Sequence, residues 1–177
     1  MYRVGNSGKL WVKIPKRWSL VLRVAFRGRY EYSLDAKGRL SIPAKFREII
    51  VREYNSELVI TTALDGYLDC YPLAIWNEVE AKIYALPTSR REVRQFKRHY
   101  ITGAVECTLD KQGRVLLPPT LRNWAGLDRE EGNNVVIAGQ INKLELWSKE
   151  RWDFETDIIK STAESIAGVL AELDINI

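Results

Sequence analysis

Residues 33–47 read SLDAKGRLSIPAKFR and residues 108–122 read TLDKQGRVLLPPTLR. The second stretch repeats the first at an offset of 75, so that Leu34, Asp35, Gly38, Arg39, Pro43 and Arg47 recur as Leu109, Asp110, Gly113, Arg114, Pro118 and Arg122. Working outward, Gly28 and Glu31 return as Gly103 and Glu106. Downstream, at an offset of 76, Leu68, Asp69, Tyr71 and Trp76 meet Leu144, Glu145, Trp147 and Trp152. A repeat of this length marks two copies of one supersecondary unit.

Each copy predicts the same series of elements. A strand over residues 29–34 carries Tyr30, Tyr32 and Leu34 on one face. The turn Asp35–Gly38 begins with a residue that bonds its own backbone and ends with one that tolerates positive φ. In the next strand Leu40 and Ile42 face inward and Arg39 and Ser41 outward; in the second copy Val115 and Leu117 face inward and Arg114 and Leu116 outward. Pro43 and Pro118 each open a short helix, and Gly126 ends the second one. Two further strands follow in each copy, at 58–62 and 67–71, then at 135–138 and 143–147. A unit of this size cannot bury both faces of a sheet alone. The tandem repeat therefore predicts an intramolecular pseudo-dimer with a small barrel-like core.

These readings define an α+β, mainly β, chain with two β units at 29–76 and 105–148, a helical connector at 77–104 and a C-terminal helix at 149–177. The connector predicts one helix after Pro72, with Trp76, Val79, Ile83 and Leu86 on one side and a break at Pro87. A second, capped by Thr88 or Ser89, carries Val93, Phe96 and Tyr100. Ser148 caps the last helix, whose apolar stripe is Phe154, Ile158, Ile166, Leu170 and Leu173.

Charge needs to be located before it is interpreted. The chain has 27 Lys and Arg against 23 Asp and Glu, for a net +4. Six of the basic residues and no acid lie in residues 1–25, and without them 21 basic residues face 23 acidic ones. The basic balance thus belongs to an N-terminal extension, and only local charge can argue for a nucleic-acid partner. The extension's apolar run is interrupted by Arg23 and no small-residue cleavage site follows it, which argues against a signal peptide; a basic arm or a start site set too far upstream fits better. No stretch approaches the ~18 apolar residues of a membrane span, so the expectation is a soluble protein. Cys70 and Cys107 offer neither a CxxC pair nor a disulfide framework, which predicts two reduced, buried thiols.

With these residues the chain resembles the MraZ family over residues 26–177, through FRGRYEYSLDAKGRLSIPAKFRE, LDGYLDCYPLAIW, GAVECTLDKQGRVLLPP and the LELWSKERW ending. One Asp-x-x-Gly-Arg turn is a weak signal; two at this spacing are specific. The resemblance implies a pair of SpoVT/AbrB-like swapped-hairpin units assembled into a ring of several subunits in the cytoplasm at the nucleoid. It implies binding to directly repeated boxes of double-stranded DNA in the promoter of the division and cell-wall gene cluster, and repression of that operon, the protein's own gene included.

Arg39, beside the turn and four residues after Asp35, is the first choice for reading a base, because a guanidinium fork matches the O6 and N7 acceptors of guanine. Asp35 would hold it in one orientation and Lys37 would meet phosphate. Arg27 and Arg29 add to the first copy's charge. Residues 27–47 carry a net +4, against +1 for residues 102–122, where Asp110, Lys111 and Arg114 are the counterparts and Gln112 replaces Lys37. The first copy is therefore expected to bind DNA more strongly. Arg47 and Arg122 follow apolar helix residues and read as structural. The cluster Arg90, Arg91, Arg94, Lys97 and Arg98 reads as a solvated or subunit-facing helix surface, with a phosphate-contacting strip as the alternative.

Catalysis is not expected. His99 is the only histidine, and it falls at a helix end where capping is the usual role. No Ser or Thr and Gly follow Asp35 or Asp110 as in aspartic proteases, no cluster has metal-ligand spacing, and no Gly-rich loop has a phosphate-cradle form. No cofactor and no small-molecule substrate are expected. The competing reading is an antitoxin-like or structural assembly ring acting through protein partners; the helical reading of 149–174 weighs against a disordered tail that masks a toxin.

Overall fold

The computed structural model describes residues 24–128, 134–173 and 175; most of the basic extension lies outside them. Each repeat contributes four strands. The first supplies β1 (Phe26–Ser33), β2 (Arg39–Ser41), β3 (Glu57–Thr62) and β4 (Leu68–Pro72), with α1 (Ala44–Tyr54) between β2 and β3. The second supplies β5 (Val105–Thr108), β6 (Arg114–Leu116), β7 (Asn134–Ile141) and β8 (Leu144–Ser148), with α4 (Pro119–Trp124) after β6. Helices α2 (Leu73–Tyr84) and α3 (Arg91–Thr102) connect the repeats, and α5 (Lys149–Ser161) and α6 (Ala163–Glu172) follow β8.

The copies do not form side by side; they interleave. The main sheet has six strands in the order β1-β7-β8-β4-β3-β5, and β2 pairs with β6 in a separate two-stranded ribbon. β1 of the first copy thus runs against β7 of the second, and β5 of the second against β3 of the first. The pairing of β4 with β8, Asp69 opposite Glu145, joins the two halves at the centre. One expectation changes here: no pairing joins β1 to β5, so the barrel is not closed. The Asp-Gly turn hands β2 across to the other copy, so the ribbon is built from both repeats, in keeping with the swapped-hairpin units that the resemblance implies.

Alternation along the strands explains the layering, because directly opposed residues share a face. On one face lie Leu58, Ile60, Leu68, Cys70, Val135, Ile137, Leu144 and Leu146, all buried. They are covered by Leu40, Ile42, Val115 and Leu117 of the ribbon and by Phe46, Ile50 and Leu121 of α1 and α4. Phe46 meets the rings of Phe26 and Tyr30 edge-on at 5.6 and 5.2 Å. Pro43 precedes α1, and Asn55 ends it at φ +52, with its N–H on the Ile50 carbonyl. The ribbon's inward residues Leu40 and Val115 are fully buried opposite one another, as the alternation predicts.

The other face carries Val59 and Tyr71 under α2 and α3, with Trp76, Ile83 and Tyr100, and Trp147 under α5, where Trp152 meets it edge-on at 5.8 Å. Leu86 lies beyond α2 and is 40% exposed. Helix α3 starts at Arg90 without a side-chain cap; Thr88 and Ser89 serve instead through their carbonyls, which accept from Arg94 Nη1 at 2.8 Å each. Ser148 does cap α5, accepting from Arg151 N. The predicted single C-terminal helix is two, broken at Thr162, and Phe154, Ile158, Ile166 and Leu173 are exposed within one chain. No described helix is long and apolar enough to cross a membrane.

Candidate nucleic-acid interface

The two Asp-x-x-Gly-Arg turns have the same internal geometry. Asp35 Oδ1 accepts from the N–H of Lys37 and of Arg39 at 2.9 Å, and Asp110 Oδ1 accepts from Gln112 and Arg114 at the same distance. The chain is then closed by Gly38 N–H to Asp35 O and Gly113 N–H to Asp110 O, both 2.8 Å, with each glycine at φ +75. A short acidic side chain that bonds the backbone two and four residues ahead, followed by a residue free to enter the left-handed region, is why this sequence makes this turn twice.

The second carboxylate oxygen is left for the arginine. Arg39 Nε donates to Asp35 Oδ2 at 2.6 Å, and Arg114 donates to Asp110 Oδ2 through Nε at 2.8 Å and Nη2 at 2.7 Å. The backbone N–H of Arg39 above all, and then its guanidinium, hold the Asp35 carboxyl below the ordinary carboxylate value; for Asp110 the Arg114 side chain is the main cause. Both carboxylates are charged wherever the protein is folded near neutrality. The arginine side chains are 32% and 23% exposed; Arg39 is fastened to its aspartate through Nε, whereas the Arg114 guanidinium is held more fully, its Nη2 also donating to Gln112 Oε1 at 3.2 Å.

Pairing of β2 with β6 brings the turns together. Arg39 stands opposite Leu116, and Ser41 opposite Arg114. Arg114 Nη1 also lies 3.7 Å from Asp35 Oδ2, linking the two corners. The ribbon is extended reciprocally by Ile42 N–H to Gly113 O at 3.0 Å and Leu117 N–H to Gly38 O at 2.9 Å. Lys37 and Lys111 are exposed at the turns.

Sequence reasoning missed how Arg47 and Arg122 act. Each leaves its helix and lies against the other copy's turn glycine. A Cβ on Gly113 would fall 2.2 Å from Arg47 Cδ, and one on Gly38 1.9 Å from Arg122 Nη1. Arg47 donates to the Gln112 carbonyl at 3.2 Å, and Arg122 to the Leu117 carbonyl at 3.0 Å. The recurrence of an arginine nine residues after each glycine was the available signal; which turn it supports was not.

Arg27 and Arg29 do not join this group. In β1 they alternate with Phe26 and Tyr30, which face the ribbon side, so they point to the opposite face of the sheet. Arg29 lies over the Trp152 ring at 5.4 Å, and Arg27 is opposite Gln140. His99 meets the Trp124 ring at 4.2 Å with the planes tilted by 52°, and its Nε2 is buried without a hydrogen-bond partner. It packs α3 against the second copy.

Comparison with known proteins shows which family this sequence is similar to. The family model described as "MraZ protein, putative antitoxin-like" matches residues 25–99 and 100–166. A protein of Moorella thermoacetica named transcriptional regulator MraZ is 42% identical over 150 residues, which are 85% of this chain and 99% of that protein. Proteins of the same name from Thermoanaerobacter sp. and Lactobacillus delbrueckii subsp. bulgaricus are each 41% identical, over 84% and 85% of this chain and 98% and 99% of their own lengths.

Proposed function

The chain belongs to the MraZ family, and from that premise we propose that it is a transcription regulator which binds double-stranded DNA through the β2–β6 ribbon. The observation that carries the reading is the pair Arg39 and Arg114, placed by two copies of one turn on the outer side of a shared two-stranded ribbon and held by Asp35 and Asp110. A ribbon of this width enters the major groove, and an oriented guanidinium there meets guanine O6 and N7, worth about 1–3 kcal/mol of discrimination per bidentate contact. Pre-fixing the guanidinium lowers the ordering cost of that contact. Lys37 and Lys111 at the turns meet phosphate, which positions the ribbon without reading sequence.

The contribution of Arg27 and Arg29 is indirect in this reading, because they face away from the ribbon. The first copy remains the stronger reader, through Lys37 and Arg39. The finer regulatory role follows the family resemblance: repression of the division and cell-wall operon that contains the protein's own gene, through directly repeated promoter boxes bound by a ring in the cytoplasm at the nucleoid. Ring assembly is supported by apolar surface that one chain leaves uncovered, Phe154, Ile158, Ile166 and Leu173 on α5 and α6, and a groove between α2 and α3 lined by Ala81, Ile83, Tyr84 and Ile101.

A gel shift on DNA from upstream of the protein's own gene tests the proposal. Arg39→Ala and Arg114→Ala should each weaken binding at least ten-fold, the larger loss falling on Arg39. Wild-type affinity with both variants, at unchanged oligomer size, would overturn the assignment.

A further inference from the structure

Four side chains face outward from the β2–β6 ribbon: Arg39, Ser41, Arg114 and Leu116. Three are polar. Leu116 is 56% exposed, whereas its strand neighbours Val115 and Leu117 are fully buried. Its equivalent in the first copy is Ser41, so this outward position differs in kind between the repeats. Leu116 is directly across from Arg39, where opposed Cβ atoms are about 5 Å apart. It is two residues along β6 from Arg114, a spacing of about 6.8 Å. An apolar side chain is thereby placed beside both arginines, across the ladder from Arg39 and along β6 from Arg114.

We propose that Leu116 is a specificity-determining residue that packs against the 5-methyl group of thymine, next to the base pairs met by Arg39 and Arg114. The inference rests on the DNA reading above and adds to it the chemistry of one position. Among groups that base pairs show in the major groove, the thymine methyl is the apolar one. With the ribbon lying along the groove, the Arg114–Leu116 spacing equals about two base-pair rises of 3.4 Å. The two ends of the ribbon then ask for different bases: Leu116 favours a thymine, while Ser41, a donor and acceptor, takes a polar edge.

The experiment uses the full-length protein and one probe, the DNA upstream of its own gene, amplified with either thymidine or deoxyuridine triphosphate. Deoxyuridine removes every 5-methyl group and leaves the hydrogen-bonding edges in place. Removing one contacted methyl should weaken wild-type binding about four-fold. Leu116→Ala should bind the thymine probe more weakly than wild type does and should show no such difference between probes. Any effect of deoxyuridine on duplex shape would act on both proteins alike, so the proposal is supported only by a difference between them. Equal responses of the two proteins, or none, would overturn the role of Leu116 while leaving DNA binding intact. A Leu116→Ala protein of altered oligomer size would overturn it as well, by showing that the side chain is a subunit contact. If wild type bound neither probe, the DNA reading would fall and this inference with it.

Discussion

Replacing Lys143 with methionine removes the cation that separates two carboxylates at the centre of the sheet. Lys143 follows the tight β7–β8 turn, where Ile141 takes φ +65. Its Nζ lies 2.5 Å from Asp69 and 3.2 Å from Glu145, the two residues directly opposed where β4 meets β8. Asp69 is 4% exposed and Glu145 8%. Burial alone would lower the ammonium's pKa, but the Asp69 carboxylate outweighs it and raises the value above the ordinary 10.5. The neighbours cannot take over: the Tyr100 hydroxyl at 2.8 Å and the Tyr71 hydroxyl at 3.3 Å donate to Asp69, and Trp147 Nε1 at 3.1 Å donates to Glu145, but all are neutral. Stripping one partner from a buried ion cluster costs about 3–5 kcal/mol, which in a chain of this size lowers Tm by roughly 6–20 °C. Adding Glu145→Gln should recover much of that loss, because a single carboxylate with two tyrosine donors remains. Urea denaturation and calorimetry of the single and double variants provide the measurement. A cost under ~1 kcal/mol, the range of an exposed pair, or a double variant no better than the single one, would refute the view that the cluster is buried and charge-coupled.

Wild-type stability should also fall in alkali. A lysine whose pKa is raised on folding stabilises fully below the unfolded value of 10.5 and loses that contribution as pH climbs through the folded one. Tyr67, Tyr100 and Cys107, also raised because burial disfavours their charged forms, add to the same loss, so Lys143→Met should show a shallower alkaline limb than wild type in denaturation against pH. The Arg39 and Arg114 Hε signals in NMR should shift on acidification with midpoints below pH 3.8, the ordinary carboxyl value, since Asp35 and Asp110 titrate lower; a midpoint at or above that value would contradict the fastening. Gly139→Ala should cost about 3 kcal/mol, because its Cβ would sit 2.7 Å from the backbone of Phe26 and push β1 off β7. Gly113→Ala should cost less, about 2 kcal/mol, since there the obstacle is the Arg47 side chain rather than backbone and the rest is the strain of a left-handed alanine. DNA binding should weaken steeply with salt, and a probe keeping a single box should bind far less tightly than the full promoter.

Much of the fold is legible in residues 33–47 and their repeat, because local chemistry determines it. An aspartate, a glycine and an arginine at this spacing dictate the turn, and alternating Leu40 and Ile42, or Val115 and Leu117, dictate the buried side of the ribbon. Strand partners are another matter. Alternation says which way a side chain points and nothing about which strand lies alongside, so the exchange of β2 and β6 between copies, and of β1 and β5, could not be read locally. The same gap hid Arg47 and Arg122, whose target is the opposite turn. Arg27 and Arg29 are different: their alternation with Phe26 and Tyr30 already placed them away from the ribbon, and only the summed charge of the first copy drew them into the site. Lys143 was unreadable as a bridge because Asp69 and Glu145 meet only once β4 and β8 pair.

Two identical chains joined about a dyad must show the same face to both strands of a duplex, and so cannot distinguish upstream from downstream. Here both halves of the dyad are written in one polypeptide, always in equal amount, and they need not be alike. Lys37 stands against Gln112 and Ser41 against Leu116, and these differences give the ribbon a heading. On the proposed DNA reading, such a ribbon has no use for a palindrome: it would follow an arrow, and copies of it set on successive sites would all travel the same way.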